Sequence, residues 1–105
     1  MDVQERIKEQ VTQNPVVLYM KGSPRFPQCG FSGMAAQVLA ACGVTDYMAV
    51  DVLQDPEIRE GIKVYSNWPT IPQLYINGEF VGGSDIMREM YQAGELQKML
   101  EAARG

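Results

Sequence analysis

Val16-Val17-Leu18-Tyr19-Met20, then Lys21-Gly22-Ser23-Pro24-Arg25-Phe26-Pro27-Gln28, then Cys29-Gly30-Phe31-Ser32 follow one another without a break, and their reading decides the fold. The first segment is apolar without alternation, short, and β-branched at its start. That pattern belongs to a strand buried on both faces, as in parallel sheets. The second segment is a loop. Beyond Ser32, an apolar stripe through Met34, Ala35, Val38, Leu39 and Cys42 predicts a helix over 34–42, with Gly43 as its C′ residue. Cys29 therefore stands between a strand and a helix N-terminus. There it meets unpaired backbone N–H groups and the positive end of the helix dipole. Both favour thiolate over thiol, and the thiolate is the nucleophile and the metal ligand. Lys21 adds positive charge from the strand end. Cys42 lies on the apolar stripe and is expected to be a packed core thiol.

On the N-terminal side, Val3, Ile7 and Val11 recur at i, i+4 and i+8, which predicts an amphipathic helix over about 3–13. Asn14-Pro15 stops it, because the residue before proline is pushed out of the α region. On the C-terminal side, 47–52 reads as a second strand, which completes a βαβ unit with a right-handed crossover. Asp55-Pro56-Glu57 opens a helix with Asp at N-cap and Pro at N1, and Ile58, Ile62 and Tyr65 share one face. Gln73 to Val81 reads as a hairpin about Asn77-Gly78, the strongest two-residue turn signal. Ser84 or Asp85 can cap the next helix, which Gly94 breaks. A final short helix bears Leu96, Met99 and Leu100. The order α-β-α-β-α-β-β-α-α gives an α/β domain, a thioredoxin-like fold with a central four-stranded mixed sheet flanked by about five helices.

The 105 residues suit a single domain over 1–105. The net charge of −4 and the lack of a basic stripe argue against nucleic acid as a partner. No apolar run approaches membrane-spanning length, so no membrane association is expected. The polar, acidic start is neither a secretory signal nor an obvious transit peptide, although a mature organellar form stays open. Two cysteines in a domain of this size point to a reducing compartment rather than a disulfide scaffold, with the bacterial cytoplasm as the expected location. The chain has no histidine, which removes cysteine–histidine enzymes and most catalytic zinc sites. The seven methionines read as core filling.

Lys21-Gly22-Ser23-Pro24, Cys29-Gly30-Phe31-Ser32, Trp68-Pro69-Thr70-Ile71-Pro72 and Gly82-Gly83-Ser84-Asp85, in this order and spacing, resemble a monothiol glutaredoxin of the CGFS type. The resemblance covers nearly the whole chain. It implies a thioredoxin fold, glutathione binding, and a 2Fe-2S cluster shared between two chains. It also implies BolA-like proteins and apo iron–sulfur acceptor proteins as partners, and a role as cluster carrier. Carried over by residue, Cys29 would ligate the cluster and form mixed disulfides with glutathione. Lys21 and Arg59 would meet the glycine carboxylate of glutathione. Ile71 would pair its backbone with the tripeptide, and Gly83, Ser84 and Asp85 would hold the γ-glutamyl end. Ser84 departs from many relatives, which carry a second cysteine there, so no disulfide to that position can form.

The chemistry of these positions can also be read without the resemblance. A hydroxyl at Ser32 cannot resolve a mixed disulfide, so Cys29 depends on an external thiol. A proline at 72 removes a backbone donor and ends sheet pairing, which frees the Ile71 backbone for strand addition by an extended peptide. Whether that bond is cis is open from sequence. Gly83-Ser84-Asp85 places N–H groups at a helix start, a natural carboxylate site. Lys63, one turn further along the same helix, could take the place of Arg59. A 2Fe-2S cluster needs four donors, typically thiolates, and one accessible thiol per chain cannot supply them. Two chains and two glutathione molecules, the set that the resemblance implies, can, and with it a homodimer is expected when the cluster is bound. Three readings follow: an iron–sulfur carrier, a glutathione-dependent thiol–disulfide oxidoreductase that removes glutathione from protein thiols through Cys29, and a binding module without redox chemistry.

Overall fold

The computed structural model describes residues 2–104; Met1 and Gly105, the ends of the expected domain, lie outside them. The elements run α1 (Val3–Gln13), β1 (Val16–Met20), α2 (Gly30–Ala41), β2 (Met48–Asp51), α3 (Pro56–Ser66), β3 (Gln73–Ile76), β4 (Glu79–Gly82), α4 (Ser84–Gln92) and α5 (Glu95–Arg104), with a single 3-10 turn at Val52–Gln54. The sheet order is β2-β1-β3-β4. β1 is parallel to β2 and antiparallel to β3, and β3 is antiparallel to β4. This is the mixed four-stranded, thioredoxin-like sheet that the element order predicts.

β1 is buried at all five positions, and its pleat divides them between two cores. Val16, Leu18 and Met20 face Ala35, Val38 and Leu39 of α2, Met87 of α4, and Leu96 and Leu100 of α5. Val17 and Tyr19 face Ile7 and Val11 of α1 and Ile58 and Ile62 of α3. The hydrophobic effect thus puts a helical layer on each side of one central strand. The unalternating sequence of β1 follows from this, since neither face meets water.

Local chemistry sets most boundaries. Asp2 caps α1 by accepting from Glu5 N–H at 3.0 Å, and Asp55 caps α3 by accepting from Ile58 N–H at 3.2 Å. Asn67 ends α3 in the left-handed region at φ 54°. Asn77 and Gly78 turn the hairpin with φ of 51° and 80°, the signs a type I′ turn requires.

Two expectations are corrected. α2 starts at Gly30, four residues before the predicted start at Met34. Gly30, Ser32 and Gly33 are poor helix formers and hide the first turn, which tertiary packing stabilises. Neither Ser84 nor Asp85 caps α4: Gly83 holds the N-cap position without a side-chain bond, and Ser84 is the first helical residue.

Candidate functional site

Because α2 begins at Gly30, Cys29 is its N-cap residue, with extended backbone at φ −155° and ψ 139°. Its carbonyl already accepts from Gly33 N–H at 2.9 Å, while its side chain makes no capping hydrogen bond. The thiol pKa is nonetheless held below the ordinary value. The N–H of Ser32 pulls most strongly towards thiolate, and partial burial opposes it. The N–H of Phe31, the charge of Lys21 and the Ser32 hydroxyl add smaller pulls in the same direction. Cys42 sits at the other end of α2 as its C-cap. It is half-buried against the core rather than fully packed, at the point where the helix ends. Burial pushes its thiol pKa up. About 13 residues of helical rise put roughly 20 Å between the two cysteines. A disulfide needs Cα atoms within about 7 Å, so the two cannot bridge.

The loop between β1 and Cys29 is braced from both ends. Lys21 N–H donates to Ser32 Oγ at 3.0 Å. Gly22 N–H donates to Asp51 Oδ1 at 2.9 Å, and Gln28 N–H to the Lys21 carbonyl at 2.9 Å. Gly22 lies at φ +86°, and a Cβ on it would stand 2.5 Å from the Phe26 carbonyl oxygen, so no other residue fits without moving backbone.

Opposite Cys29 runs the irregular segment Trp68 to Pro72. Trp68 N–H donates to the Lys63 carbonyl at 3.1 Å and to Ser66 Oγ at 3.1 Å. The Ile71–Pro72 bond, which the sequence leaves open, is cis. Among the described residues, no hydrogen bond is made by the Ile71 N–H or carbonyl. The third wall is the start of α4. A Cβ on Gly83 would stand 3.3 Å from the Pro72 carbonyl oxygen, a tight contact that a larger residue could keep only if the Pro72 carbonyl gave way by a few tenths of an ångström. Ser84 is buried and Asp85 is exposed.

These walls enclose a cleft of about 460 Å³. Every residue assigned to the cluster and glutathione site from sequence lines it: Lys21, Cys29, Arg59, Ile71, Gly83, Ser84 and Asp85, together with Lys63. Arg59 and Lys63 stand one turn apart on α3, and Lys63 also reaches Glu60 at 3.7 Å. Phe31 and Ile86 complete the wall. They are 59% and 38% exposed, which leaves an apolar rim next to the thiol. Sequence reasoning gave neither a role; the signal for Phe31 was its place in the Cys29-Gly30-Phe31-Ser32 motif, and for Ile86 its adjacency to Asp85. Among the described residues, no group of three or more His, Cys, Asp or Glu side chains is placed to hold a metal ion. No helix among them is long and apolar enough to cross a membrane.

This geometry agrees with comparison to known proteins. The glutaredoxin family model matches residues 16–81. A ycf64-like monothiol glutaredoxin of Synechocystis is 59% identical over 102 residues, 97% of this chain and 94% of that protein. Glutaredoxin 4 of Escherichia coli is 56% identical over 97 residues, 92% of this chain and 84% of its own length. The solution structure of reduced poplar apo GrxS14 superposes with a TM-score of 0.82 at 46% identity, covering 97% of this chain and 93% of that one. The chain belongs to the glutaredoxin family, among its monothiol members.

Proposed function

We propose that this chain binds glutathione in the Cys29 cleft and carries a 2Fe-2S cluster between two copies of itself, delivering it to apo iron–sulfur proteins. The observation that carries this reading is the convergence of a thiol with lowered pKa, three cations and an unpartnered backbone amide on one cleft. Glutathione is an extended tripeptide anion. Lys21 and Arg59 meet its glycine carboxylate, the Ile71 backbone pairs with its cysteinyl residue, and the start of α4 takes the γ-glutamyl carboxylate at Gly83 and Ser84. Asp85 accepts from the α-ammonium.

The donor set fits half a cluster site. One chain offers Cys29 and no imidazole, and Cys42 is too far away to share the same iron. Two Cys29 thiolates and two glutathione thiols make four donors, so cargo, tripeptide and dimer assemble together. Two of the four donors are not part of the polypeptide, which favours release. BolA-like proteins and apo iron–sulfur acceptors are the partners this reading assigns, in a reducing compartment such as the bacterial cytoplasm.

The lowered thiol pKa also favours a second reading, glutathione-dependent thiol–disulfide exchange at Cys29. With a hydroxyl at Ser32, each turnover needs a second glutathione. Anaerobic reconstitution with iron, sulfide and glutathione tests the first reading. It should give visible cluster absorption and a dimer by size exclusion, both lost without glutathione. A stable cluster on a single chain without glutathione overturns it. Rapid deglutathionylation by a protein that takes up no cluster leaves the second reading in its place.

A further inference from the structure

Gln73 is fully buried at the start of β3, and its side chain is not used by the chemistry above. Its Nε2 donates to the Trp68 carbonyl at 3.1 Å and to the Thr70 carbonyl at 3.0 Å. Both acceptors belong to the irregular segment that walls the cleft, where no strand ladder fixes the backbone. Two carbonyl partners also settle which end of the amide is which, since an amide oxygen there would face two acceptors. The Oε1 is buried without a partner. A buried acceptor left unpaired costs stability, and an apolar side chain of the same size would avoid it. What the amide supplies against that cost is its two donor bonds.

The Thr70 carbonyl and the Ile71 N–H belong to one planar peptide, and that peptide is trans. In a trans peptide the C=O and N–H point in opposite directions. Gln73 draws the Thr70 oxygen inward, so the Ile71 N–H is turned outward, to the cleft that Ile71 lines. We infer that Gln73 is a positioning residue, whose amide holds the Thr70–Ile71 peptide so that the Ile71 N–H faces an extended peptide ligand. The inference rests on the proposed glutathione reading and adds the residue that pre-organises its backbone contact. It acts through Ile71 and does not touch the ligand itself.

Gln73→Met keeps the length and removes both donors. Glutathione affinity, measured by titration with amide shifts as the readout, should fall about tenfold. The rate at which iodoacetamide alkylates Cys29 should stay within about twofold of the unmodified chain, because that rate does not use the Ile71 N–H. A general loosening of the site would move both. If Gln73→Met binds glutathione like the unmodified chain, this inference is overturned and the glutathione reading stands. If the unmodified chain binds no glutathione, the reading falls and takes the inference with it. Should Gln73→Met not fold, hydrogen exchange on the unmodified chain decides. The Gln73 side-chain amide should be protected with and without glutathione, and the Ile71 amide only with it. Free exchange of the Gln73 amide, or an Ile71 amide indifferent to glutathione, overturns the inference.

Discussion

The Ser32 hydroxyl accepts the Lys21 backbone N–H at 3.0 Å and is completely buried. The bond joins the end of β1 to the first turn of α2, the two elements between which Cys29 is held. The hydroxyl that cannot resolve a mixed disulfide at Cys29 is therefore a structural acceptor.

Ser32→Ala leaves the Lys21 N–H without its partner. We expect a loss of about 1–2 kcal/mol in urea denaturation, the cost of an unpaired buried donor. The Cys29 pKa should stay below the ordinary value, because the Ser32 backbone N–H dominates that shift and the hydroxyl contributes least. A variant with normal stability, or with a fully normalised thiol, contradicts this division of labour.

The alkylation rate of Cys29 should rise with pH and reach half its plateau below the ordinary cysteine pKa of 9.0. Lys21→Met should move that midpoint upward by only part of the shift, since the N–H groups of Ser32 and Phe31 precede the Lys21 charge among its causes. Iodoacetamide kinetics across the pH range measure it. A midpoint that Lys21→Met restores completely would show the charge, not the helix start, in control.

Cys29→Ser should abolish cluster reconstitution, whereas Cys42→Ser should keep it, with visible absorption as the measurement. The half-buried Cys42 at the far end of α2 has no route to the cleft. The reverse result would reassign the site.

Asp55 ties α1 to α3. Its Oδ2 lies 2.7 Å from Arg6 Nη2 while its Oδ1 caps Ile58 N–H. The Arg6 guanidinium, followed by the Ile58 N–H, holds the carboxyl pKa below 3.8. A depressed carboxylate stabilises the fold above the unfolded pKa, and that contribution is lost as pH falls through the folded one. Thermal melts should show stability falling below about pH 4. Asp55→Asn keeps an oxygen to cap α3 and removes the charge, so its melting temperature should change less over the same acid range. An acid limb as steep as that of the unmodified chain would assign the effect to other carboxylates.

Much of this molecule is legible because its elements carry local signals. Asp55-Pro56 marks a helix start and Asn77-Gly78 a type I′ turn through chemistry confined to neighbouring residues. The unbroken apolar run of β1 declares two buried faces. The cleft residues were recoverable because four short motifs converge where strands end and helices begin. What escaped depends on partners distant in sequence. The first turn of α2 carries glycines and a serine whose helicity comes from packing. The bond from Gly22 N–H to Asp51 spans 29 positions and has no periodic trace. The role of Gln73 depends on an irregular segment whose path sequence does not specify. Cys42 lies on the apolar stripe, but the helix stops at it, so the stripe overstates its burial.

One helix sorts the chain's two sulfurs. At its electropositive start, Cys29 is disposed towards thiolate; at its close, Cys42 is desolvated and disposed towards thiol. An electrophile or oxidant that meets the chain is thereby directed to Cys29 ahead of Cys42.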